Sequence, residues 1–287
     1  MLSSQRFRFA GLILAIAILA CANQVAPTSI PATTAAIAAI AQTSTLTPSP
    51  TSSSAPVIDP VQLKQGMDSL MTSFMQTNQI TACSIAVVYP DTADVKLNTL
   101  LFNYGTLSTD SKTPINSSTE YEIGSVSKLF TADLLAYDVV NGKMQLNDPI
   151  QKYLPSTVHI PTYNGQAITL LDLATHTSGL PKNPEGGEGT MRISTVNGVS
   201  IEGDYPDADL FNFIDTYKLT ASPGSEYGYS NLAFALLGIA EQQVGNASYD
   251  SLITNQIAGP LGMPDTHAAL SPAEETNLAR GYSAPNK

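Results

Sequence analysis

The residue pair with the clearest chemical potential is Ser125 and Lys128, which open a long apolar stretch after Gly124. Residues three apart on a helix project from the same face, so the amine comes within hydrogen-bond reach of the hydroxyl. A serine becomes a nucleophile when an adjacent base takes its proton, and a desolvated lysine can supply that base. At a helix start, the hydroxyl also lies at the positive end of the helix dipole. The pair therefore predicts covalent catalysis by serine, with an ordinary surface lysine as the alternative.

A second cluster, Tyr229, Ser230 and Asn231, lies between the Pro223-Gly224 turn and an amphipathic stretch. A phenol next to a nucleophile can move a proton, and an amide can bind both a substrate and the amine of a lysine. The alternative is an N-capping segment, in which a Ser or Asn side chain binds the first free amides of the following helix. This cluster indicates a catalytic site only in combination with Ser125.

The elements that must position these residues begin with a helix, for which the apolar spacing gives a range from Pro60 to Gln79. Two extended runs follow, Ala82 to Tyr89 and Val95 to Tyr104, and the short polar segment between them predicts an antiparallel hairpin. From Ser118 onward the pattern changes to helices and polar loops. A hairpin followed by many helices indicates an α+β fold.

Within the helical region, the helix that carries the serine is apolar on nearly every face. We therefore expect a buried central helix that ends at Asn141-Gly142. Asp148-Pro149 predicts another helix start, and the segment from Thr169 to Asp172 resembles a capping box. The Gly-rich stretch from Glu185 to Asp204 is expected to be a loop. Asn231 to Val244 predicts a strong amphipathic helix.

The N-terminal segment, residues 1–20, has the features of a lipoprotein signal peptide. Arg6 and Arg8 precede an apolar run from Ala10 to Ala20 that is too short to span a bilayer. The residues ending at Cys21 resemble a lipobox, so we expect this cysteine to be lipidated; a plain secretory signal is the alternative. Residues 21–57 are rich in Ala, Thr, Ser and Pro and predict a flexible tether before a domain at 58–287.

The composition restricts the partners. With 24 acidic and 13 basic residues, the net charge is −11, which argues against nucleic acid and against anionic lipid as ligands. Cys83 lies in an apolar run and is expected to be a buried thiol. The three histidines, His159, His176 and His267, are scattered, so each is interpreted as structural and no metal is predicted. We expect an exported, periplasmic monomer that touches a bacterial membrane only through its N-terminal lipid anchor.

Four segments carry a family resemblance. Residues Tyr121 to Ala132 resemble the nucleophile segment of class C β-lactamases, and Tyr227 to Asn231 resemble the Tyr-x-Asn motif of that family. Two further segments, Asn141 to Pro155 and Leu170 to Pro181, match in the family's order. From about Leu63 to Tyr282, the chain is therefore identified as a member of the serine β-lactamase and penicillin-binding-protein superfamily, in its class C-like branch.

The resemblance implies a serine β-lactamase/D,D-peptidase-like fold and an acyl-enzyme formed at Ser125 on a β-lactam, a D-Ala-D-Ala-type peptide or an ester. It implies that Lys128 and Tyr229 share the general-base and general-acid work, and it does not decide which is the principal base. It further implies that Asn231 binds substrate and that the Ser125 N–H stabilises the oxyanion. No cofactor is implied. The β-lactamase, D,D-peptidase and esterase activities all stay open.

In one respect the chain departs from the family pattern. Relatives carry a third motif, Lys-Thr-Gly or His-x-Gly, on a strand after the helical region, and residues 1–287 contain neither. We therefore expect a domain truncated before its C-terminal strands, with an incomplete antiparallel sheet, low stability and weak activity. The alternative function is that of a non-catalytic penicillin- or cell-wall-binding lipoprotein that uses the same pocket.

Overall fold

The computed structural model describes the residues 58–90, 97–184, 193–196, 199–202 and 207–282. The expected signal peptide, the lipidation site Cys21 and the tether lie outside these ranges. These described residues form two compact units: one contains those up to Glu122 together with those from Glu274, and the other contains those from Ile123 to Ala273. In the described ranges, no helix is both long enough and apolar enough to cross a membrane.

The first unit begins with helix α1 (Pro60–Asn78), which is followed by strand β1 (Ala82–Pro90) and strand β2 (Leu97–Gly105). The carboxylate of Asp59 accepts hydrogen bonds from the first amides of α1, and a proline occupies the first helical position. The helix ends at Gln79, which adopts the left-handed conformation with φ 55°. Both the helix and the hairpin expected from the sequence are confirmed, although the predicted start of β2 lies outside the described residues.

The hairpin is antiparallel, with Ala82 opposite Gly105 at the open end. Gly105 has φ 97°, and a Cβ at this position would lie 1.9 Å from the carbonyl oxygen of Thr81, so only glycine fits. Cys83 is buried, as expected. Among the described residues β1 pairs with β2 alone, and Leu101 is more than half exposed, so this part of the sheet is open to solvent.

The core of the second unit surrounds helix α5 (Asn231–Gly245), not helix α2 (Ser127–Val140). The expectation that the serine-bearing helix is buried on nearly every face is wrong: Leu129 is 64% and Val140 is 86% exposed. Helix α2 buries one stripe at positions i, i+3, i+4 and i+7. Its members are Thr131, Leu134, Leu135 and Asp138. Nine residues of α5 are buried, because this helix contacts neighbours on several sides.

Short sequence motifs predicted the end of α2 and the start of α3 correctly. Helix α2 ends at Asn141, and Gly142 follows with φ 71°, as predicted. Helix α3 (Leu170–Ala174) begins with a complete capping box, in which Thr169 and Asp172 exchange hydrogen bonds.

Three local interpretations need correction or addition. Asp148-Pro149 precedes only a 3₁₀ turn, Ile150–Tyr153, and the proline is its N-cap rather than its first residue. The stretch interpreted as loop contains an antiparallel pair, β3 (Ile193–Val196) and β4 (Val199–Glu202). Residues Val199 to Glu202 alternate apolar and polar, and the Asn-Gly dipeptide before them favours a hairpin. Helices α4 (Asp207–Thr216) and α6 (Tyr249–Leu252) were not predicted.

Candidate active site

Ser125 lies in a single 3₁₀ turn, Gly124–Val126, that leads directly into α2. Gly124 adopts φ 53°, a conformation that side chains disfavour, and it turns the chain into the helix. The serine is exposed to solvent. Its hydroxyl is therefore accessible at the N-terminal end of α2, where the helix dipole favours negative charge.

Lys128 lies in the first turn of α2 and is half-buried. Its Nζ donates a 2.8 Å hydrogen bond to Asn231 Oδ1 and a longer one, of 3.3 Å, to Ser125 Oγ. The same nitrogen lies 4.9 Å from the ring centroid of Tyr229 and 5.7 Å from that of Phe234. These contacts hold the cation beside the serine through an amide oxygen and two aromatic faces.

Tyr229 brings its phenol oxygen to 2.7 Å from Ser125 Oγ, and either oxygen can donate this hydrogen bond. Burial raises the pKa of Tyr229, but hydrogen bonds from Lys128 and Ser125 and the positive charges of Lys128 and Lys182 lower it. The net effect is a pKa below the ordinary value for tyrosine. The phenol therefore ionises more readily than a free tyrosine, and the phenolate that results can accept the proton of the serine.

Asn231 is the first residue of α5, and its amide side chain joins two other parts of the unit. Its Oδ1 accepts the bond from Lys128, while its Nδ2 donates to Asn183 Oδ1 at 2.9 Å. The backbone N–H of Asn231 donates to the carbonyl of Lys182 at 2.8 Å. The loop containing Lys182 and Asn183 thus fixes which end of the amide faces the lysine.

The capping interpretation holds for Ser230, and its two neighbours make the contacts that the site interpretation requires. Ser230 is the N-cap of α5, since its Oγ accepts a 3.0 Å hydrogen bond from the N–H of Ala233. The same hydroxyl donates to the carbonyl of Pro181 at 2.7 Å. The residues on either side, Tyr229 and Asn231, carry the contacts to Ser125 and Lys128. Helix capping and site geometry are therefore built by the same three consecutive residues.

His176 was interpreted from the sequence as a scattered structural residue, yet it contacts this site. Its ring lies 4.5 Å from the ring of Tyr229 and 4.9 Å from that of Phe234, between centroids. Burial and the charge of Lys128 lower the pKa of His176. The sequence feature that could have indicated this contact is the position of His176 just after the end of α3. Spacing alone gave no sign of Lys182 or Asn183, which reach the site through backbone and amide contacts.

Among the described residues, no group of three or more His, Cys, Asp or Glu side chains is arranged to hold a metal ion. The four predicted site residues Ser125, Lys128, Tyr229 and Asn231 do lie together in one hydrogen-bonded cluster. The arrangement provides an accessible hydroxyl together with two groups that can transfer protons, a phenol with a lowered pKa and an amine. The fifth predicted residue, the lipidation site, lies outside the described part of the chain.

Comparison with known proteins finds one family and several relatives. The family model described as Beta-lactamase matches residues 67–287. The D-alanyl-D-alanine carboxypeptidase/endopeptidase AmpH of Escherichia coli is 39% identical over 168 residues, covering 57% of this chain and 41% of the relative. A β-lactamase of Pseudomonas fluorescens is 32% identical over 228 residues, covering 78% of this chain and 56% of the relative.

Solved structures show the same likeness. A β-lactamase/D-alanine carboxypeptidase from Yersinia pestis, complexed with citrate, matches with a TM-score of 0.64 and 25% identity, covering 77% of this chain and 60% of that chain. A class C β-lactamase matches with a TM-score of 0.62 and 25% identity, covering 80% of this chain and 57% of that chain. These matches confirm the expected fold. The chain spans about half the length of the curated relatives it matches.

Proposed function

This chain belongs to the β-lactamase family, and on that premise we propose that it is a serine hydrolase that forms an acyl-enzyme at Ser125. The observation that carries the proposal is the position of Ser125 Oγ, 2.7 Å from the phenol of Tyr229 and 3.3 Å from Lys128 Nζ. Both groups that the chemistry requires therefore lie within reach of one accessible hydroxyl.

The distances favour Tyr229 as the principal base. In its ionised form, which the ammonium of Lys128 stabilises, Tyr229 is the base: its phenolate oxygen is the nearer of the two groups to Ser125 Oγ. As Ser125 Oγ attacks the carbonyl carbon of the substrate, its proton passes to this phenolate and leaves a neutral phenol. The proton then moves to the leaving nitrogen or oxygen as the carbon–leaving group bond breaks. Water later attacks the acyl-enzyme carbonyl and releases Ser125.

For the substrate we propose a β-lactam or a D-alanyl-D-alanine-type peptide, with simple esters as the third class. The support is the similarity to relatives that are named as β-lactamases and D-alanine carboxypeptidases. These classes share the first chemical step and differ in how the acyl-enzyme meets water. A covalent penicillin adduct that persists indicates a peptidase, and one that is lost rapidly indicates a β-lactamase.

We place this activity outside the cytoplasm, on a lipid anchor at Cys21. The support comes from the sequence: a basic start, a short apolar run and a lipobox-like segment before a polar tether. Monomeric state remains part of the same proposal.

The test is labelling of the full chain with a fluorescent penicillin, followed by denaturing electrophoresis. The wild-type chain should carry a covalent label, and Ser125→Ala should carry none. Ser127→Ala is a matched control, because it removes a neighbouring exposed hydroxyl two residues away and should leave labelling intact. A wild-type chain without label, or a Ser125→Ala chain labelled as strongly as wild type, refutes the proposal.

The second candidate is a non-catalytic penicillin- or cell-wall-binding lipoprotein. The observation that favours it is the exposed Ser125 beside the Lys128 amine and the Asn231 amide, because these polar groups can also hold such a ligand without a covalent bond. A binder of this kind should retain noncovalent affinity for penicillin when Ser125 is changed to alanine. Equilibrium binding and covalent labelling of the wild-type chain together separate the two functions: a binder holds the fluorescent penicillin without a covalent label, and a hydrolase becomes labelled.

A further inference from the structure

His176 holds the backbone on both sides of Tyr229. Its carbonyl oxygen accepts the N–H of Gly228 at 2.8 Å, and its Nδ1 accepts the N–H of Ser230 at 3.1 Å. Its ring also lies against the Tyr229 ring, with 4.5 Å between centroids and 38° between planes. One residue therefore positions both the main chain and the ring of the tyrosine whose phenol contacts Ser125.

This contact requires a neutral imidazole. A ring nitrogen that accepts a hydrogen bond carries no proton, so the neutral ring must be protonated on Nε2. In the protonated ring both nitrogens are donors, and Nδ1 would then face the Ser230 N–H donor to donor. That hydrogen bond is lost, because no acceptor is left for the amide.

The surroundings of the ring favour its neutral form. The titratable groups that face it are Tyr227 and Tyr229, from the segment before α5, and Lys128, from α2. Helix α5 contributes Phe234, which is uncharged. Burial and the lysine charge both lower the pKa of His176, so the neutral ring predominates at neutral pH.

We propose that His176 is a positioning residue for acyl transfer: the neutral ring holds Tyr229 against Ser125, and protonation of the ring releases Tyr229 and slows acylation. The proposal rests on the proposed function, since it concerns the phenol of the same site. It assigns to His176 a role exerted through Tyr229 and not a contact with the substrate.

The backbone conformation of His176 determines which substitutions are suitable for a test. His176 adopts φ 59°, in the left-handed region that asparagine tolerates better than most residues. His176→Asn keeps a hydrogen-bond acceptor near the place of Nδ1 and cannot titrate. His176→Phe keeps an aromatic ring against Tyr229 and has no acceptor. The two variants therefore separate the hydrogen bond from the ring packing.

The first test measures the acylation rate of the full chain by a fluorescent penicillin as a function of pH. The wild-type rate should fall more steeply once the pH drops below the pKa of His176, because a second group must then lose a proton. His176→Asn should keep most of the rate and lose this extra steepness. His176→Phe should be about tenfold slower than wild type above the pKa of His176, as expected for the loss of one hydrogen bond, and should approach the wild-type rate below it, where protonation breaks the same bond. Wild-type behaviour of both variants at all pH values overturns the proposal.

The second test does not depend on activity. Nitrogen NMR of the ¹⁵N-labelled full chain should show His176 as the Nε2–H tautomer, and the Ser230 amide signal should shift as His176 titrates. The proposal is overturned if His176 is the Nδ1–H tautomer, or if the Ser230 amide signal does not shift as His176 titrates. This holds even if both variants fold poorly. If the wild-type chain takes no label at all, the proposed function fails, and the NMR result still decides the His176 contact by itself.

Discussion

Lys128 Nζ donates a 2.8 Å hydrogen bond to Asn231 Oδ1, and this contact joins the first turn of α2 to the first residue of α5. Because the donor is charged, this bond is stronger than a neutral amide contact. It directs the amine toward the serine hydroxyl on the adjacent 3₁₀ turn. One hydrogen bond between two helix starts thus aligns Lys128 with Ser125.

Asn231→Ala should therefore slow acylation about 10- to 100-fold, which corresponds to the loss of a hydrogen bond to a charged group, worth about 1.5–3 kcal/mol. The time course of fluorescent penicillin labelling measures this rate. Asn246→Ala is the control: it changes the asparagine at the other end of α5, whose φ is 47°, and should lower stability without slowing labelling. Equal labelling rates for Asn231→Ala and wild type would contradict the role assigned to the amide.

Tyr229→Phe should slow acylation about 10²- to 10⁴-fold, the usual range for the loss of a general acid or base. The ring should stay against His176 and Lys128, so only the phenol oxygen is removed. A labelling rate within threefold of wild type would instead assign the base to Lys128.

The same phenol makes a prediction about pH. Ionisation of Tyr229 should occur below the ordinary tyrosine range, because the neighbouring positive charges and hydrogen bonds outweigh burial. The near-ultraviolet difference titration of wild type against Tyr229→Phe isolates this group. Lys128→Met removes a positive charge and should move the Tyr229 pKa upward. An unmoved titration would show that the lysine does not act on the phenol.

Glu241 predicts an unusual pH dependence of stability. It is fully buried in α5, and within the described residues neither carboxylate oxygen has a hydrogen-bond partner. Burial, and then the charge of Asp138, raise the pKa of Glu241 to about 9, against about 4.5 when unfolded. Between these values the folded state binds a proton that the unfolded state lacks. The free energy of unfolding must therefore fall as the pH rises through this window, by at most about 1.4 kcal/mol per unit.

Glu241→Met removes the titrating group from the core and should flatten this slope. Urea unfolding at about pH 5 and about pH 8 measures it, and the variant should gain most over wild type at the higher pH. Glu241→Gln is the matched control: it also abolishes the titration but leaves a buried amide, so it should be less stable than the methionine variant. A slope that survives both substitutions must come from another group.

Ser230→Ala should lower the free energy of unfolding by about 2 kcal/mol, since it removes a helix cap and leaves the Pro181 carbonyl without this donor. Ser248→Ala is the comparison, because Ser248 also caps a helix but is exposed and serves only the four-residue α6. Its cost should be smaller, about 1 kcal/mol or less. Denaturant unfolding decides between the two, and equal costs would contradict the double role of Ser230.

Local chemistry explains which features could be predicted. The relation of Ser125 to Lys128, the capping box at Thr169 and the glycine after α2 each depend on residues within one helical turn. Asn231 and Tyr229 were found because a family resemblance supplied a contact that spans 104 residues of sequence. Hydrophobic spacing does not contain that information.

What could not be predicted depends on neighbours distant in sequence. Helices α2 and α5 are both rich in apolar residues, and hydrophobic periodicity does not show which of them packs against other elements on several sides. Leu129 and Val140 were therefore wrongly expected to be buried. His176 contacts Tyr229 through a backbone amide and a ring face, which no spacing rule describes. The β3–β4 pair was not predicted, because the Gly-rich composition of this stretch was given more weight than the short alternating pattern of Val199 to Glu202.

Ser230 has an extended backbone, with φ −134° and ψ 118°. Successive side chains of an extended segment point in opposite directions, so the residues before and after such a position share one side. This alternation accounts for the one-residue interval between the tyrosine and the asparagine, and for a small hydroxyl residue in the middle. Inserting or deleting a single residue there would reverse this alternation and turn either the phenol or the amide away from Ser125 and Lys128.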